Sequence, residues 1–244
     1  MQAAIVIPAR YASTRFPGKP LAMLAGKPMI QWVWEGARAS TLATRVIVAT
    51  DDPRIRDAAK GFGAEVAMTD PNHPTGTDRL AEVARGIQAD VFVNVQGDEP
   101  LIRGAVIDAV LAPFADPAVE MASACRAPVA GDDLASPDVV KVVCDLRGDA
   151  LYFSRSPVPH NRDGGEPVAR PAIHIGLYAY RRAFLLRYAG LAPTPLEQTE
   201  KLEQLRALEH GVRIRMVAVE YESIGVDRPA DLARAEARIK ALTR

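Results

Sequence analysis

The segment Pro8-Ala9-Arg10-Tyr11-Ala12-Ser13-Thr14-Arg15-Phe16-Pro17-Gly18-Lys19-Pro20 sets three cations and three prolines directly after an apolar run. A polyphosphate needs several fixed positive groups together with free backbone N–H donors. Arg10, Arg15 and Lys19 supply the charge, while the small residues Ala12, Ser13 and Gly18 let the backbone approach the anion. Pro20 stands where a Walker A loop carries Ser or Thr after Gly-Lys, and the Gly-x-Gly-x-x-Gly of dinucleotide folds is absent. Kinase and dehydrogenase chemistry therefore recede. A solvated basic loop is the plainer alternative, and its place straight after a buried strand counts against it. A second candidate is Asp98, in the turn Gly97-Asp98-Glu99-Pro100, where a hard carboxylate suits magnesium. Glu99 reads as a turn residue.

These groups need elements to hold them. Ala3 to Pro8, Arg45 to Thr50 and Asp90 to Gln96 are short β-branched runs of the kind buried on both faces as central parallel strands. Helical-period segments lie between them, at Pro28 to Ala39, Pro53 to Gly61 and Thr77 to Gln88, giving the β-α-β-α order of a doubly wound α/β sheet. Both the basic loop and Asp98 then fall at carboxyl ends of strands, where open α/β sheets bind ligands. After Asp116 the pattern changes to strand-like runs at Met121 to Pro128, Val139 to Cys144 and Ala150 to Phe153, which suggests antiparallel pairing. Pro157 to Pro171 reads as a surface loop. Helices at Arg181 to Ala189 and Pro195 to Leu208, a strand at Arg213 to Val219 and a helix from Pro229 complete the chain.

The 244 residues suffice for one α/β domain with a small lobe contributed by about 121–210. Thirty basic residues balance thirty acidic ones, so nothing draws the chain generally toward nucleic acid. No run approaches the ~20 apolar residues of a membrane span, and residues 1–8 lack a signal-peptide pattern, so a cytoplasmic protein without a membrane partner is expected. Cys125 and Cys144 read as buried thiols in the core. The four histidines and two cysteines show no structural zinc spacing. Trp32 and Trp34 read as structural.

At the basic loop, PARYASTRFPGKP, the sequence resembles the nucleotidyltransferases that activate sugars, and in its extended form the CMP-Kdo synthetase family, the 3-deoxy-manno-octulosonate cytidylyltransferases. The segments His73-Pro74-Thr75-Gly76-Thr77-Asp78-Arg79, Asn94 to Pro100, Leu151 to Arg155, His174 to Tyr178, Glu203 to Arg206 and Gly225-Val226-Asp227 are similar to that family in the same order. The resemblance covers nearly the whole chain. It implies a fold of the nucleotide-diphospho-sugar transferase type, a mostly parallel mixed sheet with a small antiparallel sugar and dimerisation lobe.

The resemblance also implies CTP and Kdo as substrates, Mg²⁺ as cofactor, a homodimer and a supply of activated Kdo for lipopolysaccharide. Arg10, Lys19, Asp98 and Asp227 would be catalytic, with Asp98 and Asp227 holding the metal. By sequence alone Asp227 would instead cap the helix starting near Pro229. Arg10, Ser13, Arg15, Lys19 and Arg79 would bind the nucleotide, although Arg79 could equally be helix-surface charge. Gln96, Arg155, His174, Tyr178, Glu203 and Gln204 would bind the sugar, with Arg155 or His174 meeting its carboxylate. Hydrophobic positions in Ala150 to Phe153 and Ile173 to Tyr180 could form the dimer surface. The rivals are a sister enzyme for another acid sugar, such as 8-amino-Kdo or a sialic acid, and a nucleotide sensor without catalysis.

Overall fold

The computed structural model describes residues 1–12, 16–165 and 168–242. In chain order the strands are β1 Ala3–Ala9, β2 Met23–Leu24, β3 Lys27–Pro28, β4 Arg45–Thr50, β5 Glu65–Met68, β6 Val91–Asn94, β7 Met121–Arg126, β8 Lys141–Cys144, β9 Ala150–Ser154, β10 Ala172–Arg181 and β11 Ile214–Ala218. The helices are α1 Met29–Arg38, α2 Pro53–Gly61, α3 Gly76–Gly86, α4 Gly104–Leu111, α5 Arg182–Tyr188, α6 Pro195–Glu200, α7 Gln204–Glu209 and α8 Asp231–Leu242.

The main sheet runs β11-β7-β10-β6-β1-β4-β5. Strands β6, β1, β4 and β5 are parallel, and β10 lies antiparallel between β6 and β7. From β1 the chain proceeds to β4 and β5 on one side, then returns to β6 on the other. The sheet therefore has its topological switch point between β1 and β6, and the carboxyl ends of these two strands open the ligand crevice. Strand β8 joins β10 and β9 in an antiparallel corner.

Alternation along the central strands sorts the core into two layers. Ile5, Ile7, Val91 and Val93 pack with Ile30, Val33 and Ile107 of α1 and α4. Ala4, Val6 and Phe92 pack on the opposite face with Leu80, Phe184 and Leu205 of α3, α5 and α7. A satellite cluster seats Ile224, Val226 and Ile239 against Leu24 and Met29. Trp34 is buried, and Trp32 donates from Nε1 to the Leu24 carbonyl at 2.6 Å, so both serve packing.

The central strands and first three helices lie where the apolar pattern places them, within a residue or two at the ends. Three elements carry no such pattern. The edge strand β5 is half exposed and only four residues long. Helix α4 is apolar around most of its circumference and lacks a side-chain cap. The β2-β3 hairpin has two residues per strand. The expected helix Pro195 to Leu208 is two helices, because Lys201 adopts φ 53° and ends α6. Cys144 is exposed rather than core, since it ends β8 where the hairpin leaves the sheet, while Cys125 is buried. The apolar side chains Ile173, Ile175 and Leu177 are also core, 6 % exposed or less, so β10 cannot offer them as a dimer surface. Leu151 on β9 is 62 % exposed.

Candidate active site at the sheet switch point

The basic loop leaves β1 and returns on itself: Gly18 N–H donates to the Tyr11 carbonyl at 2.9 Å. Gly18 has φ +71°, and a Cβ there would meet the Tyr11 ring at 3.1 Å. Glycine is required on both counts. The turn feeds a short 3₁₀ segment that begins at Lys19 and aims its side chain across the switch point. Ser13 and Arg15 lie outside the described residues.

On the β6 side, Gly97 approaches the β1 carboxyl end so closely that a Cβ would fall 2.6 Å from the Pro8 carbonyl oxygen. This contact carries Asp98 to the basic loop, where Lys19 Nζ donates to Asp98 Oδ2 at 2.7 Å. The same ammonium lies 3.4 Å from Asp227 Oδ1. Asp227 reaches the spot because Val226 N–H donates to the Asp98 carbonyl at 2.9 Å. Asp231, in the first turn of α8, braces this stretch of the chain by accepting from the Asp227 and Arg228 amides at 3.0 and 2.8 Å. Beside Asp98, the Glu99 carboxyl is pushed up by burial and by the nearby Asp98 and Asp227 charges, against hydrogen bonds from Ser223 and Tyr221.

Two carboxylates distant in sequence thus converge on one cationic group. Hard oxygen donors arranged about a single positive charge fit Mg²⁺, which takes one or two carboxylates and completes its shell with substrate oxygens and water. Among the described residues no group of three or more His, Cys, Asp or Glu side chains is placed to hold a metal ion by itself.

Arg79 is not surface charge. It is fully buried on α3, its guanidinium 3.0 Å from Asp51 Oδ1 at the end of β4. Burial lowers its pKa, Asp51 opposes this, and the neighbouring Arg10 adds like-charge repulsion. Arg10 of the basic loop and the buried Arg79 therefore lie near enough for each to feel the other's charge. The first turn of α3 stands beside them, closed by a capping box between Thr75 and Asp78. A Cβ on Gly76 would rest 3.6 Å from the Pro8 ring.

A second polar cluster extends from this turn along β10. Glu203, at the start of α7, bonds Thr77 and lies beside Tyr178, and burial raises its pKa. Tyr178 packs 5.4 Å from His174, which stands edge-on to Phe153 at 5.0 Å. Between Ile175 and Tyr178 the β10-β7 register slips. Bulges of this kind re-aim side chains near sites. Ser123 Oγ fills the slip, donating to the Leu177 carbonyl at 2.9 Å. Its one proton being spent, it accepts from His174 Nε2 at 2.9 Å, which leaves His174 Nδ1 as an acceptor. Desolvation pushes the His174 pKa down to about 3. A neutral imidazole with an accepting Nδ1 suits a hydroxyl, not a carboxylate.

Arg155 stands apart from that cluster as a clamp. It donates to the carbonyls of Pro137 and Glu200 at 2.7 Å each, and its amide donates to the Glu200 carboxylate at 2.9 Å. Gln96 follows β6 on the rim near Ile175 and Tyr221. Gln204 is buried with its Nε2 unpartnered, as is the Oδ1 of Asn94 at the end of β6. Asn94, Thr77 and Glu99 were not singled out as site residues from sequence. Asn94 carried a signal, being a polar residue closing an apolar strand.

A cationic loop at the switch point of a mixed α/β sheet, faced by paired carboxylates, defines a nucleotidyltransferase-type fold and site. The sequence profile of the cytidylyltransferase family matches residues 4–214. A 3-deoxy-manno-octulosonate cytidylyltransferase of Geobacter metallireducens is 55% identical over 242 residues, 95% of each chain. A relative of the same name from Myxococcus xanthus is 55% identical over 237 residues, covering 97% of this chain and 96% of its own. The solved structure of a CMP:2-keto-3-deoxy-manno-octonic acid synthetase complexed with CTP superposes with TM-score 0.94 at 46% identity, over 99% of this chain and 100% of that one. The chain belongs to the cytidylyltransferase family, and within it to the 3-deoxy-manno-octulosonate cytidylyltransferases. A 4-diphosphocytidyl-2C-methyl-D-erythritol synthase from Anaerococcus prevotii, 13% identical with TM-score 0.63 over 98% of both chains, shares the fold alone.

Proposed function

We propose that the protein transfers CMP from CTP to the anomeric hydroxyl of 3-deoxy-D-manno-octulosonate (Kdo), releasing pyrophosphate. The observation that carries it is the convergence of Lys19, Asp98 and Asp227 at the mouth between β1 and β6, in a chain at least half identical to cytidylyltransferases for this sugar.

The basic loop and the Arg10–Arg79 pair neutralise the triphosphate, and Lys19 follows the charge that develops as pyrophosphate leaves. Asp98 and Asp227 would hold Mg²⁺, which when bound acidifies an attacking hydroxyl and screens phosphate charge. The sugar's hydroxyls meet His174 Nδ1 as acceptor, Tyr178, Glu203 and the unpartnered amide of Gln204, with Gln96 on the rim. Burial of Tyr178 and Glu203 raises both their pKa values, so these groups hydrogen-bond a polyol rather than repel it. Alignment of hydroxyl and α-phosphate supplies much of the acceleration without a covalent intermediate. A homodimer, a cytoplasmic location and a role in supplying lipopolysaccharide synthesis accompany this function.

Pyrophosphate release measured with CTP and Mg²⁺, with and without Kdo, tests the proposal. Release that needs both substrates and falls about 10²- to 10³-fold in Asp98→Asn is the expected result. Release with another acid sugar but not with Kdo would overturn the substrate, and release unaffected by Asp98→Asn would overturn the site.

A further inference from the structure

Asp227 lies at the far end of a segment, residues 219–227, that belongs to no helix or strand. Its side chain is 50 % exposed, so packing around the carboxylate does not fix it. The segment is held by discrete ties, besides the Arg103 guanidinium donating to the Glu220 carbonyl and the Asp227 amide donating to Asp231 Oδ2 at 3.0 Å. Two come from the backbone: Val219 N–H to the Cys125 carbonyl at 2.8 Å, and Val226 N–H to the Asp98 carbonyl at 2.9 Å. Two more converge on one side chain. Ser223 Oγ donates to Glu99 Oε1 at 2.5 Å, and Tyr221 OH donates to Glu99 Oε2 at 3.1 Å. The carboxylate lies close along this backbone, for a Cβ on Gly225 would stand 3.5 Å from Glu99 Oε1.

We infer that Glu99 is a positioning residue that sets the spacing of Asp98 and Asp227. Its two oxygens serve two hydroxyls of the 219–227 segment, one each, while the preceding residue sends its carboxylate to Lys19 and its carbonyl to Val226. The turn at residues 97–99 therefore grips the segment at Tyr221, Ser223 and Val226. The turn is itself braced, Glu99 N–H donating to the Gln96 carbonyl at 3.2 Å and Ile102 N–H to the Glu99 carbonyl at 3.1 Å. Without the Glu99 carboxylate the segment keeps its apolar anchors Ile224 and Val226 and the Val226–Asp98 bond, but loses the ties at Tyr221 and Ser223 that fix the register in which Asp227 is delivered. Glu99 touches neither substrate nor the Lys19 ammonium in this scheme; it acts through Asp227.

This inference rests on the proposed two-carboxylate cation site, and its test separates the two. The variants are Glu99→Ala, Glu99→Gln, Ser223→Ala and the double variant, each checked by thermal melting for a folded protein. Mn²⁺ binding to the free enzyme is read by electron paramagnetic resonance, and kcat and KM for CTP by pyrophosphate release. Expected are a loss of roughly 10- to 100-fold in Mn²⁺ affinity and in kcat for Glu99→Ala, with KM for CTP within about twofold. Glu99→Gln, which keeps one accepting oxygen, should fall between wild type and Glu99→Ala. Ser223→Ala should add little on top of Glu99→Ala, because both break the same tie. Faster amide exchange at residues 221–227 in Glu99→Ala reports the latch whether or not the wild type turns over. A folded Glu99→Ala protein with wild-type exchange in that segment, or with unchanged Mn²⁺ affinity, overturns the assignment. An inactive wild type with the exchange change intact would count against the proposed reaction and leave the latch standing.

Discussion

Lys19 holds the place between two carboxylates that a divalent cation would take, so replacing it has a signed consequence for metal binding. Its side chain is 15 % exposed, and its ammonium donates to Asp98 at 2.7 Å, with Asp227 at 3.4 Å. A charge-assisted hydrogen bond of the first kind contributes about 1.5 to 3 kcal/mol. The second contact is long and its carboxylate half exposed, so solvent screening holds it below about 1 kcal/mol. A cation entering the free enzyme must displace roughly 2 to 3 kcal/mol of interaction, and each 1.4 kcal/mol is a factor of about ten. Lys19→Met, which keeps the length of the side chain and removes its charge, should therefore bind Mn²⁺ roughly 30- to 150-fold more tightly without nucleotide, by electron paramagnetic resonance titration. With CTP the same variant should bind nucleotide more weakly. If Mn²⁺ binds Lys19→Met no more tightly than wild type, the ammonium does not occupy the cation's place and the two carboxylates are not its ligands.

Three further outcomes follow from the surrounding structure. Gly97→Ala must move the turn at residues 97–99 away from Pro8, since its Cβ would lie 2.6 Å from a carbonyl oxygen; a displacement of that order costs about 10²-fold in kcat, and near wild-type turnover would refute the close approach as the device that seats Asp98. His174 has a folded-state pKa of about 3 against an ordinary 6.5, so the unfolded chain binds a proton that the fold refuses: stability is full above pH 6.5 and is lost as pH falls toward 3, by about 2 kcal/mol at pH 5. Denaturant melts of wild type and His174→Gln across that range should differ by this slope, and a ring resonance titrating near 6.5 would contradict it. Arg206 clasps Glu197 with two hydrogen bonds at side-chain exposures of 9 and 12 %; Arg206→Met strands a buried carboxylate and should cost about 3 to 5 kcal/mol, with thermal melting unchanged as the refuting result.

The parts of this protein that sequence exposes are those whose physics is local. β1, β4 and β6 announce themselves as β-branched runs because both faces are buried, and the loops that leave β1 and β6, with Gly18 and Gly97 in them, lie at carboxyl ends where open sheets hold ligands. That Lys19 and Asp98 stand at this edge of the sheet was legible for the same reason. Asp227 was not: its local surroundings describe a helix cap, and bonds across more than a hundred residues, that of Val226 to Asp98 among them, set it against Lys19. Composition assigns Glu99 to a turn for want of its distant hydroxyls.

The polar cluster shows the same limit from the other direction. Arg155 and His174 are the residue types that meet carboxylates, and their neighbours engage part of each. Arg155 is taken by carbonyls of Pro137 and Glu200, and a serine on a neighbouring strand turns His174 into a neutral acceptor. Buried ion pairs cannot be read from either partner alone: Arg79 on a helix surface and Arg79 against Asp51 have identical sequence contexts, and only the parallel placement of β4 beside β1 chooses between them. A guanidinium buried there without a matching anion would carry an uncompensated desolvation cost. Asp51 therefore holds Arg79 in the interior, where with Arg10 it is expected to add to the positive field that the triphosphate meets, while the part-buried Lys19 faces the carboxylates of the site.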